Sequence, residues 1–216
     1  MTDLKTYAFG PKSGGQPKQL VVLLHGLGAN GQDLIGLAPY FAGAIQDALF
    51  LSPDAPFPCD MAPYGRQWFS LQNWSHDSIL KGIQTATPIL NQFIDDALKK
   101  TGLDDSKLAL VGFSQGTMMA LYAGPRRTHK IAGILGYSGA LVWENDADVS
   151  RLQKPPVHLI HGAADTVVPV EAYTKAHDFL GQSGFTVTGG ITQHLQHSID
   201  EAGIESGSAF LRTIFS

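Results

Sequence analysis

Gly112-Phe113-Ser114-Gln115-Gly116 stands between an apolar, strand-like run at residues 107–111 and a helix-like run at residues 117–122. A serine flanked this way at a strand-to-helix turn is the arrangement that lifts a hydroxyl above a sheet as a nucleophile. The glycines matter because bulk at either position would crowd the turn. A serine hydroxyl attacks poorly near neutral pH. Ser114 therefore needs a base to take its proton, an acid to orient that base, and donors for the oxyanion that attack creates. Taken alone, the pattern also fits an N-cap serine beside packing glycines, so the partners decide.

The acid is expected later in the chain, at the end of another strand. Asp165 fits, in His161-Gly162-Ala163-Ala164-Asp165, after the apolar run Val157-His158-Leu159-Ile160. By itself it also reads as a turn or helix-cap aspartate. The base is expected nearer the C-terminus, where His197 and His194 compete. His197 directly precedes Ser198 and the last helical segment and gives the order Ser114, Asp165, His197; His194 is the rival. His158 and His161 read as packed residues of a strand, and His76 and His177 as helix-surface residues. One oxyanion donor is the Gln115 main-chain N–H; the other belongs to the loop His25-Gly26-Leu27-Gly28-Ala29-Asn30-Gly31, with Leu27 as the expected donor. No Lys-Ser/Thr pair follows those glycines, which argues against a phosphate loop. Cys59 lacks the elbow context of Ser114, and the histidines have no zinc spacing. No metal is expected.

These residues need a scaffold that delivers them to one edge. Gln19–Leu24 reads as a central strand buried on both faces, entered by a Gly/Pro-rich turn at 12–18 between edge strands. Residues 32–45 read as a helix interrupted by Pro39, and Ala48–Pro53 as a short strand. Residues 54–72 hold three further prolines together with Trp68 and Phe69, and read as a long irregular loop suited to lining a pocket. Residues 79–100 are helical by period. Further strands are expected at 131–138, 157–162 and 185–188, and helices at 170–180 and 199–215. Met118 and Met119 read as core, and 142–156 as a surface connection. Strands alternating with helices predict an α/β fold, a mostly parallel central sheet with helices on both faces, in one domain over 1–216.

Composition bounds the partners. The chain has 216 residues, 44% apolar and 16% charged, with net charge −4. No block of Lys and Arg exists, which argues against nucleic acid; Arg126, Arg127 and Lys130, with His129, read as a solvated helix end. One cysteine, no signal-like N-terminus and no run long enough to span a bilayer make a cytoplasmic location the expectation. A homodimer is compatible with an apolar pocket rim.

Four stretches read together resemble the phospholipase/carboxylesterase family of α/β-hydrolases, which includes the acyl-protein thioesterases, over nearly the whole chain. They are His25–Gly31, Arg66-Gln67-Trp68-Phe69, Gly112–Gly116, and His161–Asp165 with Val168-Pro169; Leu195–Ile199 is a weaker fifth. The resemblance implies the α/β-hydrolase fold, Ser114 as nucleophile, Asp165 as acid, His197 as base, and the Leu27 and Gln115 amides as oxyanion hole. It places Trp68 near the acyl site, so that Trp68, Phe69 and Leu71 would shape an apolar pocket. No metal or organic cofactor is implied. The expected activity is serine carboxylic ester hydrolysis through an acyl-enzyme, on small or medium acyl esters. Lysophospholipase and acyl-protein thioesterase activity are the alternatives, with lipid esters or acylated proteins as substrates; a non-catalytic binding protein is the remaining reading. Two features depart from the family pattern: Thr117 stands where many members have a third glycine, and Gly189–Gln196 replaces the usual approach to the base.

Overall fold

The computed structural model describes residues 4–216. In chain order, strands β1 (Thr6–Phe9), β2 (Gln19–Leu24) and β3 (Ala48–Pro53) precede a small hairpin, β4 (Phe57–Pro58) and β5 (Arg66–Gln67). They are followed by β6 (Leu108–Phe113), β7 (Gly133–Tyr137), β8 (Val157–Gly162) and β9 (Val187–Thr192). The helices are α1 (Gly31–Ile35), α2 (Ala38–Phe41), α3 (His76–Thr101), α4 (Gln115–Ala123), α5 (Glu171–Gln182) and α6 (Glu201–Ile214). Seven strands form one sheet in the order β1-β3-β2-β6-β7-β8-β9, antiparallel at β1–β3 and parallel elsewhere.

Both faces of this sheet are covered, and the residues alternate accordingly. Leu20, Val22, Leu24, Leu108 and Leu110 join the core beneath α3, α4 and α5. Val21, Leu23, Ala109 and Val111 join the core beneath α1, α2 and α6. A strand buried on two faces must be apolar at every position, which is why β2 reads as an unbroken hydrophobic run. The carboxyl ends of β2, β6 and β8 run into the His25 loop, Ser114 and the Asp165 loop, so parallel pairing brings all three to one edge.

Local signals explain most boundaries. Pro39 occupies the first turn of α2, where its missing N–H costs nothing. Helix α3 buries Ile83, Ala86, Leu90, Ile94 and Ala97 at helical spacing; Ser75 caps its start, and Gly102, in the left-handed region at φ 71°, ends it. Pro88 sits inside α3 on the exposed face, where water can satisfy the carbonyl it leaves unpaired.

Several expectations need correction. Residues 54–72 are not one irregular loop, because β4 and β5 pair antiparallel within them. Strand β9 runs two residues later and farther than 185–188, through Gly189-Gly190. A Cβ on Gly189 would lie 1.8 Å from the Leu159 carbonyl oxygen, so glycine lets β9 approach β8 rather than ending the strand. The 142–156 segment is more than a surface connection: Trp143 is buried and its indole N–H donates to the Leu121 carbonyl at 3.0 Å. The basic cluster divides. His129 and Lys130 are exposed, but Arg126 stacks on the Tyr122 ring at 3.8 Å and pairs with Glu144. Arg127 is nearly buried, bonded to Asp105 and, at 2.7 Å, to Asp95 of α3.

Arg127 thus ties the end of α3 to the segments on either side of β6. Arg127→Ala would leave Asp105, itself largely buried, without its cation. The expected loss is about 2–3 kcal/mol, read as a lower urea midpoint at unchanged m-value; an unchanged midpoint would refute this role.

Candidate active site

Ser114 lies at φ 55°, ψ −116°, between the last residue of β6 and the first of α4. This conformation is costly for a residue with a side chain, and the packing around it enforces it. A Cβ on Gly116 would fall 1.7 Å from the Leu24 carbonyl oxygen, and one on Gly112 would fall 2.4 Å from Gly116 C. Both elbow glycines are therefore close-approach sites. The turn is tied down on its far side, where the Ser114 N–H donates to the Tyr137 carbonyl at 2.9 Å. The Thr117 hydroxyl donates to that same carbonyl at 2.8 Å and accepts from the Tyr137 N–H at 3.0 Å.

Asp165 and His197 meet. His197 Nδ1 lies 2.7 Å from Asp165 Oδ2. The carboxylate accepts, so the ring proton is on Nδ1 and Nε2 is left as a base. Asp165 Oδ1 accepts from the Val167 and Val168 main-chain N–H groups, both at 2.9 Å. Burial alone would raise the Asp165 pKa; the His197 bond and the two main-chain donors outweigh it and hold the carboxyl below its usual range. The Ala163 and Ala164 N–H groups donate to the Thr192 and Leu195 carbonyls at 2.9 Å, hanging the His197 loop on the Asp165 loop. His194 is exposed, in the left-handed region at φ 62°. It makes the turn after β9 and is not brought to Asp165. The His197 ring lies 4.8 Å from that of Phe113, the residue before Ser114.

His197 and Ser114 line one cavity of about 210 Å³, with Leu27 and Gln115 also in its wall. Among the described residues neither the Leu27 nor the Gln115 main-chain N–H has an acceptor. The four amides that follow Leu27 are satisfied: Gly28 N–H donates to Arg66 O at 3.0 Å, Ala29 N–H to Gly26 O, Asn30 N–H to Asp33 Oδ2 at 3.0 Å and Gly31 N–H to Asp54 Oδ1 at 2.9 Å. The loop is fixed from below by His25, which is fully buried. Ala55 N–H donates to His25 Nε2 at 2.9 Å, and a main-chain N–H can only donate. The ring proton is therefore on Nδ1 and is given to the Gly26 carbonyl at 2.7 Å. Burial lowers the pKa of His25, keeping the neutral form that this pattern needs.

Trp68 and Phe69 take a different place from the one expected. They are 0% and 2% exposed and lie outside the cavity wall. The Trp68 indole N–H donates to His25 O at 3.0 Å. Gln115 reaches the same segment: its Oε1 accepts from Trp68 N–H at 3.1 Å and its Nε2 donates to Phe69 O at 2.9 Å. These aromatics support the loop from the core, and Leu71 alone of the three expected residues lines the cavity. Met118, read as core, also lines it, with Phe113, Trp74, Ile79, Val167 and Val168. Phe113 and the two valines adjoin the motif residues and were findable on that ground; Trp74 and Ile79 carry no such signal. His161, read as packed, is buried with Nε2 3.4 Å from Asp165 Oδ2. Among the described residues no three His, Cys, Asp or Glu side chains converge as metal ligands, and no helix is long and apolar enough to cross a membrane.

A hydroxyl, an imidazole held by a carboxylate and two free N–H donors in one small apolar cavity can carry out acyl transfer. The Phospholipase/Carboxylesterase family model matches residues 10–215. Esterase YpfH of Escherichia coli (strain K12) is 28% identical over 195 residues, covering 90% of this chain and 82% of its own. Acyl-protein thioesterase 1 of Emericella nidulans is 26% identical over 211 residues, covering 88% of each. The crystal structure of esterase PE8 matches at TM-score 0.92 and 39% identity, over 98% of this chain and 99% of that one. A carboxylesterase from Mesorhizobium loti, at TM-score 0.78 and 19% identity over 93% and 91%, shares the fold. That fold is the α/β-hydrolase fold.

Two outcomes are expected here. Gln115→Leu keeps the main-chain amide but leaves Trp68 N–H and Phe69 O buried and unpaired, a loss of about 2–4 kcal/mol; unchanged stability in denaturant would show that the clamp carries no weight. The second concerns pH. The pKa of His25 lies below the ordinary value of 6.5 because of burial, and so does that of His158. The unfolded chain then binds more protons than the folded one as pH falls below about 6.5, so stability is full above that value and drains below it. Asp165, depressed from 3.8, adds a separate loss below about that pH. Thermal midpoints measured from pH 8 to pH 5 should fall on the acid side; a flat profile would contradict both histidine assignments.

Proposed function

We infer from one premise, that this chain belongs to the phospholipase/carboxylesterase family of α/β-hydrolases and is a serine ester hydrolase, that Ser114, His197 and Asp165 carry out its chemistry. The observation that supports this most directly is the 2.7 Å bond from His197 Nδ1 to Asp165, with Nε2 left free beside the Ser114 cavity. Ser114 Oγ attacks the acyl carbon while its proton passes to His197 Nε2. The oxyanion accepts from the Leu27 and Gln115 N–H groups, and Asp165 favours the imidazolium. The intermediate collapses, the C–O or C–S bond breaks, and His197 returns the proton to the leaving group where that is needed. Water, deprotonated by the same nitrogen, then hydrolyses the acyl-enzyme and restores Ser114.

The volume of the cavity bears on the substrate. About 210 Å³ lies below the usual range for pockets that enclose drug-sized ligands, which supports esters of short or medium acyl chain. A second reading, lysophospholipase or acyl-protein thioesterase, is favoured by a separate groove of about 750 Å³ lined by Leu141, Trp143, Pro169 and Phe179. Pro169 directly follows Val168 of the cavity wall, and the groove mixes these apolar residues with Glu144, Glu171, Lys175 and Asp178, a lining suited to a chain that carries a polar head.

A fluorophosphonate probe should label the wild type and fail to label Ser114→Ala, whose kcat is expected to fall about 10³-fold or more. His197→Ala should be comparably inactive and His194→Ala near wild type; the reverse pair of results would sink the base assignment. On a 4-nitrophenyl ester series, kcat/KM should peak at short or medium chains. A maximum at palmitoyl would favour the second reading, and matched oxygen and sulfur esters would separate its two forms.

A further inference from the structure

Between the ends of β7 and β8, the elbow helix α4 and α5 is a second and much smaller space. It measures about 10 Å³ and is lined by Thr117, Ser138, His161 and Tyr173 among others. That is room for one water molecule and nothing larger. Its polar lining is under-satisfied. Ser138 is 2% exposed, and its Oγ has no hydrogen-bond partner, a costly condition for a buried hydroxyl. Ser138 is also one of the non-glycine residues at positive φ, 46°, held there while its N–H donates to Ile160 O at 2.9 Å. His161 presents the complementary group. Its Nε2 lies 2.8 Å from the Val168 carbonyl, which can only accept, so Nε2 bears the proton. With one proton on the ring, Nδ1 is an acceptor, and among the described residues it has no partner.

These two residues belong to the two halves of the site. Ser138 follows Tyr137, whose N–H and carbonyl are both bonded to Thr117 of the elbow helix. His161 sits four residues before Asp165, bonded to Val168 O and 3.4 Å from Asp165 Oδ2, the oxygen that accepts from His197. We propose that one buried water occupies this space and bridges Ser138 Oγ to His161 Nδ1, making His161 and Ser138 positioning residues for the acid. The water donates to His161 Nδ1 and exchanges a hydrogen bond with the Ser138 hydroxyl. The strut then runs from the elbow through Ser138, water and His161 to the Asp165–Val168 turn, and it sets the position of the carboxylate against His197. Neither residue touches substrate. This inference rests on the reading of Ser114, His197 and Asp165 as the acyl-transfer group.

The test uses the full chain with His161→Phe, His161→Gln and Ser138→Ala. His161→Phe removes both the donor to Val168 and the acceptor for water. Its kcat should fall about tenfold at unchanged KM, since small displacements of a reacting group are expensive. The acidic limb of its kcat/KM profile should move to lower pH. His161→Gln keeps an N–H donor and should recover most of the loss, and Ser138→Ala should give a smaller loss with the same limb shift. If His161→Phe does not fold, the kcat and limb of Ser138→Ala decide together with the crystal structure. A high-resolution crystal structure should show ordered density within hydrogen-bond distance of both Ser138 Oγ and His161 Nδ1. Wild-type kcat and an unshifted limb in the folded variants, or an empty space in the crystal, would overturn the proposal. Failure of the probe to label wild-type Ser114 would instead sink the acyl-transfer reading beneath it.

Discussion

The first turn of α4 lies against the carboxyl ends of β2 and β6 with no room for a side chain between them, and the rest of the site follows from that approach. Gly116 faces the Leu24 carbonyl at a distance where a Cβ would overlap it. With the helix start pinned there, the chain can leave β6 only through the left-handed turn at Ser114. Four consecutive positions then connect to three different parts of the fold. Ser114 N–H is bonded to β7, the Gln115 side chain to the segment after β5, Gly116 is packed on β2, and the Thr117 hydroxyl is bonded to the end of β7. Moving any one of them disturbs the others, which is how packing offsets the strain of a serine at positive φ.

The same economy shows in the hydrogen-bond accounting around the cavity. Buried main-chain N–H groups are almost always paired, and in the 25–31 loop the four amides after Leu27 all are. Two of them reach groups far away in sequence, Arg66 O and Asp54, while the Ala55 N–H fixes the His25 tautomer. The Leu27 and Gln115 amides, on two residues of the cavity wall, have no acceptor and suit the proposed role of oxyanion donors. Their readiness depends on a neutral His25. A second proton on that ring would face the Ala55 N–H donor and break the support beneath the loop, so burial of the imidazole helps hold the donors in place.

The residues proposed for catalysis were legible in the sequence because Ser114 and Asp165 each follow a strand with a clear apolar run, and parallel pairing carries strand ends to one side. His197 was harder, since two histidines three residues apart compete; His194 makes a left-handed turn, and His197 is the one bonded to Asp165. What was illegible depended on partners distant in sequence. Trp68 and Phe69 occur among prolines with no periodicity, so nothing local distinguishes a pocket wall from a buried support; Gln115, forty-seven residues from Trp68, decides it. Arg127 looks solvated until Asp95 and Asp105 are brought beside it. Gly189-Gly190 looks like a strand breaker until the Leu159 carbonyl is seen against it.

Thr117 shows how a departure from a motif is absorbed by its surroundings. A β-branched residue directly after the elbow looks like an intrusion beneath the nucleophile, yet its branch points towards β7, where two glycines accommodate it. A Cβ on Gly136 or Gly139 would lie 2.6 Å or 2.4 Å from Thr117 side-chain atoms. The space a third elbow glycine would have left is therefore filled, and glycines on the facing segment make room for it. The hydroxyl adds what no glycine could. It accepts from the Tyr137 N–H and donates to the Tyr137 carbonyl at a site 1% exposed, where bulk water does not reach. Valine would match the shape and leave that strand end unpaired. The requirement at this position is therefore for volume and a hydroxyl together, and the next residue after Tyr137 is Ser138, whose own hydroxyl is unpaired and which lines a small space together with Thr117 and His161.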